Sequence, residues 1–79
     1  MKQRVKLTFP HHLIKEPVIF TMAKKFDVMP NIRRARVSES VGEVLLEFEG
    51  TDKNLEEGIA YLKGRGVKVE AVKEDVEDS

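Results

Sequence analysis

Asn31 is the side chain of this sequence best equipped to hold a small ligand. Its amide offers both a donor and an acceptor, so it can meet either the carboxylate or the ammonium of a free amino acid. Asparagine after a proline, here Pro30, also suits a plain turn, and the residue types leave both uses open. The neighbours widen the case. Met29, Pro30 and Ile32 could form an apolar slot suited to a thioether chain, although ordinary packing at a junction would use them equally well. Arg33 follows directly and could meet a ligand carboxylate.

No other stretch competes for chemistry. Serine, histidine and acid are nowhere spaced as a triad, and no glycine-rich phosphate loop is present. His11 and His12 are adjacent, so in an extended loop they point apart and do not share a metal. The chain has no cysteine, which excludes disulfides, iron–sulfur clusters and thiolate zinc sites. Glu39, Glu43, Glu47 and Glu49 read as a solvated or salt-bridged face rather than as paired catalytic carboxylates. We therefore expect no catalytic residues, no metal and no cofactor, and a protein that is not an enzyme.

Formal net charge is zero, but nine Lys/Arg face only two acids in residues 1–36, and five face twelve in residues 37–79. Basic and acidic strands lying side by side would neutralise each other. Arg33, Arg34 and Arg36 invite a phosphate or RNA reading, yet no exposed aromatics accompany them on the sheet for bases to stack on. Nucleic acid is not an expected partner. The N-terminus lacks an apolar run of signal-peptide length, and no stretch is long enough to span a bilayer. A cytoplasmic protein without membrane insertion is expected.

These residues need elements to position them. Arg4–Phe9 alternates polar and apolar residues, the period of a half-buried strand. Pro17 suits a helix start, and Ile19, Met22, Ala23 and Phe26 follow at helical spacing. Pro30 is expected to stop that helix. Ala35 and Val37 alternate with Arg34 and Arg36 in a second strand, and Val44, Leu46 and Phe48 form the apolar face of a third. A hairpin turning at Glu39–Gly42 would place Val37 beside Val44, Ala35 beside Leu46 and Arg34 beside Glu47. That register makes Ala35 and Val37 core. It sends Ile32 to the open face opposite Glu49, where with Leu45 and Val72 it would offer a dimer contact.

Thr51 or Asp52 caps a second helix carrying Leu55, Ile59 and Leu62, and Gly66 is a natural C′ residue. Val67–Ala71 is the fourth strand. The order β-α-β-β-α-β is the ferredoxin-like arrangement, an α+β sandwich whose antiparallel sheet has spatial order 4-1-3-2 with both helices on one face. Residues 1–72 form this one domain, and residues 73–79 form an acidic tail expected to fray. A chain of this size buries only roughly 60–65% of its unfolded surface, so a partner subunit would be a natural support.

Six strings in this order and spacing resemble the NIL domain, a family named after an Asn-Ile-Leu stretch in some members. They are the strand ending at Phe9, Glu16-Pro17-Val18, Phe26-Asp27-Val28 through Asn31-Ile32, Leu46–Gly50, Ile59–Lys63 and Gly66–Glu70. The resemblance implies a regulatory domain of methionine-import transporter ATP-binding subunits that pairs with its twin and binds methionine. Related modules are fused to iron–sulfur domains. This sequence carries no Walker motif and no cysteine ligands, so a free-standing module is expected, and Arg33 replaces the third letter of the family name. The implied function is a regulatory domain binding methionine or a related sulfur amino acid. The alternative is a protein-interaction module acting in trans on a transporter or redox partner.

Overall fold

The first alternating segment forms β1 (Lys2–Pro10), and its side chains divide cleanly between two faces. Val5, Leu7 and Phe9 are buried, while Lys6 and Thr8 between them face the other way. The computed structural model describes residues 1–72, so the acidic tail expected at 73–79 lies outside the described residues. A short 3-10 turn at His11–Leu13 leads into α1 (Val18–Phe26). β2 (Met29–Val37), β3 (Val41–Glu49), α2 (Asp52–Gly64) and β4 (Lys68–Ala71) follow. The antiparallel sheet runs β2-β3-β1-β4, the order expected from the sequence. Among the described residues no helix is long and apolar enough to cross a membrane.

Both ends of α2 are closed by local chemistry. The Asn54 N–H donates to Thr51 Oγ1 at 3.0 Å, satisfying one of the helix's unpaired N-terminal amides. At the other end Gly66 adopts φ 101°. Its N–H reaches the Lys63 carbonyl, and the Val67 N–H reaches that of Leu62, both at 3.0 Å. This is the paired bonding of a Schellman motif, closed by the buried side chains of Leu62 and Val67. The helix α1 ends earlier than Pro30 would require. Asp27 takes a left-handed conformation at φ 57°, and its N–H and that of Val28 both bond the Ala23 carbonyl. Pro30 instead lies inside β2, an edge strand with an unpaired side that tolerates a missing N–H.

The core lies between the helices and the two central strands. Val5 and Leu7 of β1 meet Leu46 and Phe48 of β3, and Met22 and Leu62 close over them from α1 and α2. On the opposite face the charges interleave. Arg4 of β1 stands 3.9 Å from Glu47 of β3, and Lys6 stands 3.6 Å from Glu70 of β4. Lys2 and Glu49 are also direct cross-strand neighbours. The uneven charge along the chain is thus largely evened out across this face.

The register of β2 against β3 differs from the expected one. The link is Ser38–Ser40, with β3 beginning at Val41, and Ala35 pairs with Val44 and Val37 with Gly42. Ser38 holds the turn: its N–H and hydroxyl both reach the Val41 carbonyl, and its Oγ accepts from the Val41 N–H. The expected pair of Arg34 with Glu47 does not form, because Arg34 stands opposite Leu45. A bulge at Arg33 then moves the register by one, so Ile32 faces Leu46 and Asn31 faces Glu47.

Ala35 and Val37 keep their expected face but are not core. Every residue of β2 except Pro30 is exposed, Val37 at 64%. The helices pack over the central strands and leave the β2 edge uncovered. Ile32 lies on the helix-side face, not the open one, and is exposed for the same reason.

The two helices approach each other tightly at Gly58. A Cβ there would meet Met22 Sδ at 2.8 Å and Val28 Cγ2 at 3.6 Å. Gly58→Val should therefore lower stability by about 1–3 kcal/mol through overpacking. Gly58→Ala should cost less, since better helix propensity offsets about 1 kcal/mol of the clash. Urea midpoints of the two variants against the wild type check both the sign and the order.

Candidate functional site

The segment that carries the candidate ligand-binding residues is the start of the exposed edge strand. Asp27 ends α1, Val28 drops into the core, and Met29 begins β2 beside Glu49, the last residue of β3. The turn leaves an open groove between the second half of α1 and the β2–β3 edge. Phe20, Ala23 and Lys24 line it from the helix, and Asp27 from the helix cap. Met29 and Pro30 line it from β2, and Glu49 from β3. Its volume is about 610 Å³, inside the range of roughly 300–1,000 Å³ usual for small-molecule sites.

The five residues singled out in the sequence do not all reach this groove. Met29 and Pro30 do. Asn31 lies two residues beyond Met29 on the same face of the sheet, exposed and opposite Glu47. Ile32 presents its side chain on the other face. Arg33 occupies the bulge itself. The structure thus strings these residues along one edge, alternating between faces, rather than gathering them in one slot.

Sequence reasoning missed Phe20, Lys24, Asp27 and Glu49. Phe20 is 65% exposed on α1, outside the apolar stripe, with Lys24 Nζ 5.8 Å from its ring centroid. An aromatic placed off the stripe of a short amphipathic helix was a readable signal. Asp27 and Glu49 were unreadable, because their approach depends on how α1 packs against the sheet.

His11 takes a structural position. His11 Nδ1 lies 2.6 Å from the Glu39 carbonyl oxygen, an N–H donating to the hairpin and tying it to the 3-10 turn. Arg65 Nη2 meets Glu16 Oε1 at 3.1 Å, joining the end of α2 to the entry of α1. Among the described residues no three His, Cys, Asp or Glu side chains converge on a metal position.

Element order, sheet order and the placing of both helices on one face define a ferredoxin-like α+β domain. The C-terminal domain of an ABC transporter ATP-binding protein from Enterococcus faecalis has the same fold. It matches with a TM-score of 0.80 at 21% identity, over 92% of this chain and 86% of that one. The chain belongs to the NIL domain family, whose model matches residues 3–71. Among its relatives is the methionine import ATP-binding protein MetN of Coxiella burnetii, 32% identical over 72 residues. MetN 1 of Listeria innocua is 33% identical over the same length. Each match covers 86% of this chain but only 20% and 21% of the relative, so the chain spans about a fifth of their length.

The left-handed conformation at Asp27 shapes the mouth of the groove. Asp and Asn tolerate it, and a β-branched residue does not. Asp27→Val should cost about 1–2 kcal/mol of stability, whereas Asp27→Gly should leave the thermal midpoint unchanged or raise it. Thermal melts of the two variants check this.

Proposed function

We propose that this chain is a non-enzymatic, cytoplasmic regulatory domain that binds methionine or a related sulfur amino acid and acts as a homodimer. The observation that carries the reading is the coincidence of two features at one place. The NIL match spans the whole βαββαβ unit, and the groove opens at the α1–β2 junction, where that match includes Met29, Pro30, Asn31 and Ile32. Phe20, Met29 and Pro30 offer an unbranched thioether chain an apolar bed, and sulfur packs well against an aromatic ring. Asn31 and Arg33 lie farther along the same strand, outside the lining of the groove, and offer polar groups to a ligand that extends along this edge. Relatives named for methionine import support the choice of ligand.

The uncovered side of β2 supports the dimer. Pro30, Ile32, Ala35 and Val37 form an apolar row on the helix-side face, with Phe20 exposed on α1. The outer side of β2, a nine-residue edge strand, runs next to that row and suits a second copy adding its own β2. A ligand bound beside the same strand would act by favouring one arrangement of the pair, through its difference in affinity for the two. The alternative, a module acting in trans on a transporter subunit, draws on the same exposed edge; a redox partner is a second form of it.

Calorimetric titration with L- and D-methionine, beside a panel of other amino acids, tests the ligand. Binding of methionine is expected, with loss in Asn31→Ala at an unchanged thermal midpoint. No heat and no thermal shift at millimolar methionine would sink the reading. For the assembly, light scattering after size exclusion should give twice the chain mass, and Ile32→Asp should give a folded monomer. A monomeric wild type at tens of micromolar removes the dimer.

A further inference from the structure

Resting on the homodimer reading above, we propose that β2 pairs with β2 of a second copy in a register that sets the two Arg33 bulges side by side. That register brings the partner's Arg34 opposite Asn31 and the partner's Arg36 opposite Met29. Residues that face each other across an antiparallel pair lie on the same face of the sheet. Arg33 interrupts the alternation of β2. Met29 and Asn31 before it and Arg34 and Arg36 after it lie on the open face, because they stand opposite Glu49, Glu47, Leu45 and Glu43. Pro30 and Ile32 before it and Ala35 and Val37 after it lie on the helix side. A second strand laid against β2 with its bulge elsewhere therefore agrees in face over only one half of the edge. Pairing the two hairpin halves beyond their last residues sets arginine against arginine, and like charges directly opposite destabilise a sheet. Pairing the two Met29–Ile32 halves joins a short stretch around Asn31 and leaves the rest of the nine-residue edge uncovered.

Agreement along the whole edge needs the extra residue of one strand beside the extra residue of the other. Two registers meet that condition. One sets Ile32 opposite the partner's Ala35, but it also sets Arg33 opposite the partner's Arg34, twice by symmetry. The other puts the two-fold axis between Ile32 and Arg33. Pro30 then faces the partner's Ala35, Asn31 the partner's Arg34 and Met29 the partner's Arg36. No arginine faces an arginine, and Pro30, which brings no N–H to a ladder, falls next to the end of the overlap. Asn31 already has Glu47 opposite it on the inner side. Its amide has donors for that carboxylate and an acceptor for a guanidinium arriving on the outer side. Acid, amide and base thus follow one another across the join between the two sheets, and the second copy adds two arginines to the segment that carries Met29 and Asn31.

Disulfide mapping tests the register. The sequence has no cysteine, so introduced cysteines report on the chosen pairs alone. Opposed residues of an antiparallel pair have Cα atoms about 4.5–5.5 Å apart, within reach of a disulfide. Asn31, Arg34, Ala35 and Arg36 are all exposed, so the cysteine variants should melt with the wild type. A mixture of Asn31→Cys and Arg34→Cys chains, oxidised with copper phenanthroline, should give a linked dimer on a non-reducing gel. It should form faster than from Asn31→Cys mixed with Arg36→Cys, and Asn31→Cys or Ala35→Cys alone should give none. Arg34→Glu gives a second reading, since its acid would approach Glu47 of the other chain. It should raise the dimer dissociation constant by about threefold or more, whereas the register with Arg33 opposite Arg34 would be tightened. Self-linking of Asn31→Cys or Ala35→Cys, faster linking through Arg36→Cys, or a tighter Arg34→Glu dimer overturns the register and leaves the dimer standing. So does a wild type of twice the chain mass in which no pair links. A monomeric wild type overturns both.

Discussion

One extra residue in β2 decides which way Met29, Pro30, Asn31 and Ile32 point. Side chains alternate along a strand with period two, so a register change of one exchanges the faces of everything beyond it. Arg33 is that extra residue. On the hairpin side of it, Ala35 and Val37 share a face with Val44. On the other side, the change places Ile32 opposite Leu46 and Asn31 opposite Glu47. With an unbroken register, Asn31 would lie on the helix-side face and Ile32 on the open one. The bulge thus puts the amide beside Met29 on the open side and completes an apolar row on the other.

The second constraint is coverage. Two helices of nine and thirteen residues pack over β1 and β3 and cannot also cover the β2 edge of a four-stranded sheet. Ala35, Val37 and Ile32 are left exposed while Val5, Leu46 and Phe48 are fully buried. The same offset opens the groove, since α1 stops at Asp27 before the chain has turned into β2. The exposed apolar row and the groove therefore share one cause.

Much of this fold was legible in residue patterns. The alternation at Arg4–Phe9, the stripe of Leu55, Ile59 and Leu62, and the Thr51 and Gly66 caps all act within a few residues, and all appear where expected. The neutralising of charge across strands was legible too, because Lys2, Arg4 and Lys6 can only meet acids from β3 and β4. The hairpin register was not. Parity between Ala35 and Val44 was correctly inferred, but the pairing lies two residues away, and no local signal marks a bulge at an arginine. Phe20 was readable as an aromatic off the apolar stripe. Asp27 and Glu49 were not, since they lie more than twenty residues apart in the chain.

By itself the sequence determined the order of elements, their caps and the alternation of their faces, because periodicity and capping are local interactions. It also singled out Met29 to Arg33 as the segment of interest. Only the tertiary structure decided that these five residues divide between two faces, that Ala35 and Val37 face solvent, and that Lys24, Asp27 and Glu49 share one groove. Those outcomes depend on the bulge and on the packing of α1 over the central strands. Both are set by contacts between distant parts of the chain, which no short window of residues contains.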